Sequence, residues 1–180
     1  MELESLPEGW EIRSLREVAE IKAGDPAPQK EKYFENGNIP FVRMQDLGKY
    51  HRTTSLIRTT DKVNKQAIEE CKLRIFPEGS VILPKSGSVY LNHRAILGIN
   101  ACVVSHIAIL IPKTEVIGEF LYYILLTIDM SKWGHKTTGL DSLNLRSLGK
   151  IKIPLPPLEE QKKIVEILQF ADYLKERRRE

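Results

Sequence analysis

The chain has 180 residues, with 27 Lys and Arg against 24 Asp and Glu and a formal net charge of +3 at neutral pH. That length holds one cored domain plus an appendage, and the charge is too even for a protein that coats DNA without regard to sequence. No apolar run approaches the ~20 residues needed to cross a bilayer, and the acidic start Met1-Glu2-Leu3-Glu4 leads into no apolar segment, so a cytoplasmic protein without membrane contact is expected. Cys71 and Cys102 are isolated thiols without metal-ligand spacing, expected to be reduced.

Ser14-Leu15-Arg16-Glu17 fits a capping box and predicts a short helix over 15–20, with Leu15, Val18 and Ala19 on its buried side. Gly24-Asp25-Pro26-Ala27-Pro28 is loop, because two prolines and a glycine oppose regular structure. A strand is expected over Ile39–Met44, and a helix over 62–71 capped by Thr60 or Asp61. Pro77-Glu78-Gly79 makes a turn before a strand at Val81–Pro84, and Lys85-Ser86-Gly87-Ser88 makes another before strand-like sequence at 89–91. Ile96–Ile99 and Cys102–Ile111 read as strands, the second apolar enough to be central. Ile117, Leu121, Ile124, Leu125 and Ile128 have helical spacing and predict a helix over 115–129. Residues 134–139 are expected as exposed loop, and 142–148 as an irregular or helical lead into a last strand.

The most informative stretch is Ile151-Lys152-Ile153-Pro154-Leu155-Pro156-Pro157-Leu158-Glu159-Glu160-Gln161-Lys162-Lys163-Ile164-Val165. Ile151 and Ile153 alternate with Lys152 as in a half-buried strand, the prolines stop it, and a helix follows to about Arg178. Glu159 and Glu160 suit the helix's positive end, and Arg177, Arg178 and Arg179 its negative end. Ile164, Ile167, Leu168, Ala171 and Leu174 form an apolar stripe, with Ile164, Ile167, Ala171 and Leu174 at heptad positions. The stripe fits either packing back on the domain or an intermolecular contact. The fold class expected is therefore α+β: a globular mixed α/β domain over 1–155, then a long coiled-coil-type helix over 156–180.

Catalytic signatures are missing. The chain holds no glycine-rich nucleotide loop and no nucleophile elbow. His51, His93, His106 and His135 are scattered: His106, inside an apolar run, reads as a hydrogen-bonded core residue, and the other three as solvated. Neither catalytic residues nor a metal site are expected.

The proline junction resembles the P-L-P-P-L-x-E-Q-x-x-I segment of type I restriction-modification specificity subunits, where a DNA target recognition domain passes into a helix. Leu6-Pro7-Glu8-Gly9-Trp10 is similar to that family's opening, and Ile39–Leu47 and Gly79–Gly87 resemble its internal landmarks. The resemblance implies a non-catalytic specificity subunit or half-subunit without a cofactor. Its partners would be double-stranded DNA, methyltransferase subunits and, through them, restriction subunits. Such subunits carry two recognition domains and two helices where this chain has one of each, so the resemblance leaves open a whole protein, a fragment or a natural half, and a half would form a homodimer through the helix.

Base reading needs donors and acceptors on exposed turns, and phosphate anchoring needs cations, hydroxyls and amides. The candidate DNA-binding residues are Arg43 and Gln45, expected to alternate on one strand edge; Lys85, Ser86 and Ser88 on a glycine turn; Asn92, His93 and Arg94; and Lys136 and Thr137. Lys49, Tyr50, His51 and Arg52 form a fourth cluster. Asp46 is expected to accept turn amides or hold an arginine, rather than touch bases. Arg43, Lys85, Arg94 and Lys136 gathered on one face would favour DNA over the alternative, a protein-interaction scaffold without DNA readout.

Overall fold

The structure is a computed structural model that describes residues 6–51, 55–87, 89–137 and 140–178, with backbone alone at 134–137 and 140–141. The chain begins with β1 (Glu11–Ser14), α1 (Leu15–Val18), β2 (Ala19–Ala23), β3 (Ile39–Val42), α2 (Met44–Tyr50), β4 (Ser55–Leu56), β5 (Asp61–Val63) and α3 (Lys65–Glu70). There follow β6 (Val81–Pro84), β7 (Ala95–Leu97), β8 (Cys102–Val103), β9 (Ile107–Pro112) and α4 (Gly118–Leu126). The last elements are β10 (Gly134–Thr137), β11 (Leu140–Leu143), α5 (Leu145–Lys150), β12 (Lys152–Leu155) and α6 (Leu158–Arg177).

A five-stranded sheet, ordered β2-β9-β6-β7-β4, divides the interior. Side chains alternate across its middle strands. Val81, Leu83, Ala108 and Leu110 enter one core with Leu15, Phe120, Leu121, Leu125, Leu148 and Ile153. Ile82, Ile107 and Ile109 enter another with Phe41, Val42, Leu47, Leu56 and Val103. Burial on both faces is why these strands read as unbroken apolar runs. A three-stranded sheet, β5-β3-β8, backs the second core, while β1 pairs antiparallel with β12 and β10 with β11.

Several expected boundaries are corrected. The run over 102–111 is two strands: β8 pairs parallel with β3 in one sheet and β9 belongs to the other, with a turn at Ser105-His106. Both strands are buried, so hydrophobicity does not mark the crossing. His106 is consequently exposed rather than core, although its Nδ1 lies 2.8 Å from Ser86 Oγ. The first helix stops at Val18 because Ala19 turns extended and starts a strand against β9. The Ser14–Glu17 capping interaction is present: the Glu17 carboxylate accepts from Ser14 N at 2.6 Å, and the Ser14 bonds hold its pKa below the usual carboxylate range. The helix expected over 62–71 begins later, because residues 61–63 pair with β3 and Asn64 caps it, accepting from Ala67 N at 3.0 Å. Residues 89–91 form a 3₁₀ turn, not a strand, and 134–137 pair antiparallel with 140–143 instead of forming the expected loop.

Cys102 is fully buried, and desolvation pushes its thiol up to about 12, whereas Cys71 is half-exposed. Only a thiolate attacks a disulfide reagent. Ellman's reagent at pH 8 is expected to titrate one thiol promptly and the second only after denaturation. Prompt reaction of both would contradict this core.

Candidate nucleic-acid interface

The expected readers Arg43 and Gln45 do not alternate on a strand. The chain turns at Arg43, the N-cap of α2, and Gln45 lies exposed in that helix's first turn. Lys49 follows one helical turn later and is also exposed. The turn is set by Asp46, whose side chain is buried. One of its oxygens accepts from Arg43 N at 2.9 Å, and the other from Thr60 N at 3.0 Å and Thr60 Oγ1 at 2.8 Å. Asp46 thus accepts turn amides as expected, while the arginine is held by a different carboxylate. The Arg43 guanidinium pairs with Asp61 and lies 5.8 and 5.4 Å from the ring centroids of Phe34 and Phe41. An arginine held in this way is a fixed wall rather than a searching donor. It lines an open cavity of about 480 Å³ with Phe34, Thr60, Asp61 and Lys62. Exposed Arg58 and Lys62 add cations here that the sequence motifs do not single out. Their one signal is the polar run from Arg58 into β5, which holds Lys62.

The end of α2 joins this cluster to the next. His51 Nδ1 accepts from Arg94 N at 3.0 Å, so the proton of a neutral ring sits on Nε2. Its carbonyl accepts from Tyr122 Oη at 3.0 Å, and its ring stacks on His93 at 4.5 Å between centroids. Both imidazoles are half-buried rather than fully solvated.

Arg94, expected to reach DNA, is wholly buried. Its fork donates to His93 O at 2.5 Å, Asn92 Oδ1 at 2.6 Å and Ile128 O at 3.4 Å, while Nε has no partner among the described residues. Asn92 also turns inward: its Oδ1 accepts from Met130 N at 3.2 Å, and its φ of 54° ends the 3₁₀ turn. These two side chains hold the loop up from below. The loop presents Tyr90 and Leu91, both substantially exposed.

Lys85 and Ser86 connect this loop to the hairpin. Ser86 bridges antiparallel to Ser142, Lys85 O accepts from Leu143 N at 2.7 Å, and Lys85 N donates to His106 O at 2.8 Å. Gly87 turns with φ of +81°, a conformation that favours glycine. Lys136 and Thr137 lie on β10 opposite Asp141 and Leu140. Their side chains lie outside the described residues, as do Ser88 and Arg52. Contacts thus join His51, at the end of α2, to His93, and Lys85 and Ser86 to β11, with Arg94 and Asn92 beneath the His93 loop. Among the described residues no group of His, Cys, Asp and Glu could hold a metal ion.

The terminal helix has two apolar sides. Ile164, Val165 and Leu168 pack on the first core. Ile167, Phe170 and Leu174 face outward, 68%, 62% and 44% exposed. The stripe expected as a single interface therefore splits: Ile164 and Leu168 serve the domain, and half-buried Ala171 lies between.

Comparison with known proteins places this geometry. The type I restriction modification DNA specificity domain model matches residues 7–180. The specificity subunit of the type I restriction enzyme MjaIX from Methanocaldococcus jannaschii is 29% identical over 177 residues, covering 97% of this chain and 40% of that protein. The EcoR124I/EcoR124II specificity subunit of Escherichia coli is 26% identical over 170 residues, covering 91% and 41%. The chain thus spans about two fifths of the length of these curated relatives. The fold matches the crystal structure of the HsdS subunit from Thermoanaerobacter tengcongensis, with a TM-score of 0.69, 24% identity and coverage of 98% of this chain and 41% of that one. It also matches the type I restriction-modification S subunit from M. genitalium, with a TM-score of 0.62, 15% identity and coverage of 94% and 41%. The mixed α/β fold and the resemblance carried by the proline junction agree with these likenesses, and the chain belongs to the type I restriction modification DNA specificity domain family.

Proposed function

We propose that residues 1–155 recognise one part of a split DNA target and that the helix over 156–180 sets the position of a second recognition domain. The match of the specificity-domain model to 7–180 carries this reading. The band of turns around α2, the 85–94 loop and the hairpin supports its location. Gln45, Lys85, Ser86 and His93 meet the groove, with Lys136 and Thr137 from the hairpin. Lys49, Arg58 and Lys62 contact phosphates. Arg43 and Arg94 shape the surface and do not search it. Methyl transfer and cleavage belong to methyltransferase and restriction subunits, so this chain needs no cofactor of its own. Two copies joined through the outward side of α6 would read a palindromic split target, since a two-fold axis repeats the contact. The complex acts in the cytoplasm, where the DNA is.

Selection of duplexes from a random pool, by this chain with and without a methyltransferase subunit, tests the reading. One short motif, or two inverted copies at fixed spacing, is the expected enrichment. No enrichment at any salt, despite complex formation, would reduce the chain to a docking module. Replacing Lys49 and Lys62 by alanine is expected to reduce the slope of log affinity against log salt by roughly 0.9 for each phosphate left unneutralised. An unchanged slope would move the phosphate path elsewhere.

A further inference from the structure

The Glu160-Gln161 pair of the proline junction lies outside the residues proposed to meet DNA, and Gln161 is among the few wholly buried polar side chains. Its Oε1 accepts from Ile117 N at 2.9 Å, while its Nε2 donates to Glu115 O at 3.0 Å and Pro156 O at 2.8 Å. Both amide donors are therefore used, and the carbonyl is paired. Three segments meet on this one side chain: the end of β12, the loop entering α4, and α6 itself. One residue earlier, Glu160 accepts from Trp10 Nε1 at 2.9 Å, tying the N-terminal segment to the same turn. Farther along, Asp172 accepts from Tyr123 Oη at 3.0 Å, and Val165 and Leu168 pack between the two ties. Gln161 and Asp172 are eleven residues apart, roughly 16 Å along a helix axis at 1.5 Å per residue. A rod held at two points that far apart cannot pivot.

We propose that Gln161 is a positioning residue that fixes the angle at which α6 leaves the recognition domain, and thereby the separation of the two half-sites. The inference rests on the proposed function for its consequence, but the rigid angle stands on geometry alone. A pivoting helix would tolerate a range of separations; a clamped one selects a single value. Satisfying one buried carbonyl at a proline break would need one donor. Gln161 makes three bonds to two separate segments besides its own helix, and the outer tie at Asp172 would then have no purpose.

Spin labels at Lys65→Cys and Glu176→Cys, in a Cys71→Ser background, would report the helix angle by pulsed dipolar spectroscopy. A single narrow distance is expected for the parent chain. Its loss to a broad distribution is expected for Gln161→Ala, and partial broadening for Gln161→Glu, which keeps the acceptor but loses both donors. Tyr123→Phe removes only the outer tie and is expected to broaden the distribution even if the Gln161 variants fold poorly. An unchanged narrow distance in all three would overturn the proposal. Selection on duplexes with randomised spacers is the second arm: Gln161→Ala should keep the half-site motif and lose its single spacing. A retained single spacing alongside a broadened distance would also overturn the link to half-site separation. If no variant or parent enriches any motif while the distances still respond, the DNA reading fails and the clamp survives.

Discussion

Arg94→Ala is expected to lower the unfolding free energy by about 2–5 kcal/mol, the scale for truncating a large buried side chain and leaving buried acceptors without their donor. The substitution deletes the donors to His93 O, Asn92 Oδ1 and Ile128 O and leaves a void at a fully buried site. His93 O and Ile128 O lose this donor, at about 1–3 kcal/mol each before relaxation, while Asn92 Oδ1 keeps Met130 N. Burial pulls the guanidinium down to about 10, with Asp129 opposing that shift, so the group is still charged at neutral pH. Arg94→Met fills more of the volume without a buried charge, and should lose less than alanine, because volume-matched apolar replacements of buried ions are better tolerated. Arg94→Lys should not restore stability, since one ammonium cannot span the fork. Urea unfolding measures all three. The decisive comparison is DNA binding at a temperature where Arg94→Ala stays folded: its sequence preference should equal that of the parent chain. A well-folded variant that lost sequence preference would return Arg94 to the role of base reader.

The misplacement of Arg94 shows where sequence reasoning ran out. Asn92-His93-Arg94 follows a glycine turn and has the composition of a surface loop. Its inward direction depends on Asn92 taking a positive φ and on acceptors from residues 92, 93 and 128, which no local pattern reveals. The one available signal was the apolar strand Ala95-Ile96-Leu97 immediately after it. The same logic separates the elements that were legible from those that were not. β6, β9, α4 and α6 carry long apolar runs or helical periodicity, and their existence was predictable, although the crossing between β8 and β9 was not. β1, β2, α2 and the β10–β11 hairpin are short and polar, and exist because a partner strand or a buried Asp46 completes them. The candidate interface was legible as a set of turns but not in its proposed division of labour, in which Gln45, Lys85, Ser86 and His93 are presented and Arg58 and Lys62 join them, while Arg43 is clamped by Asp61.

Ile167→Glu combined with Phe170→Glu is expected to abolish the self-association proposed through α6 while leaving the domain folded. Large apolar side chains contribute about 1.5–3 kcal/mol each when fully buried, so a two-fold contact that loses two from each copy loses roughly 6–12 kcal/mol, or a weakening of about 10⁴- to 10⁹-fold. The buried charges add to that loss in any close contact. Neither residue packs on the domain, so thermal unfolding of the dilute monomer should be unchanged. Val165→Ala, on the opposite side, should lower the unfolding midpoint instead, because Val165 lies in the first core. Sedimentation velocity across a concentration series separates the two effects. If the double variant associates like the parent chain, the two-fold contact does not run through this side of α6, and the palindromic target loses its structural basis. If association disappears together with fixed spacing in selected duplexes, while single half-sites are still enriched, then the domain reads sequence and the helix supplies the geometry that makes the target bipartite.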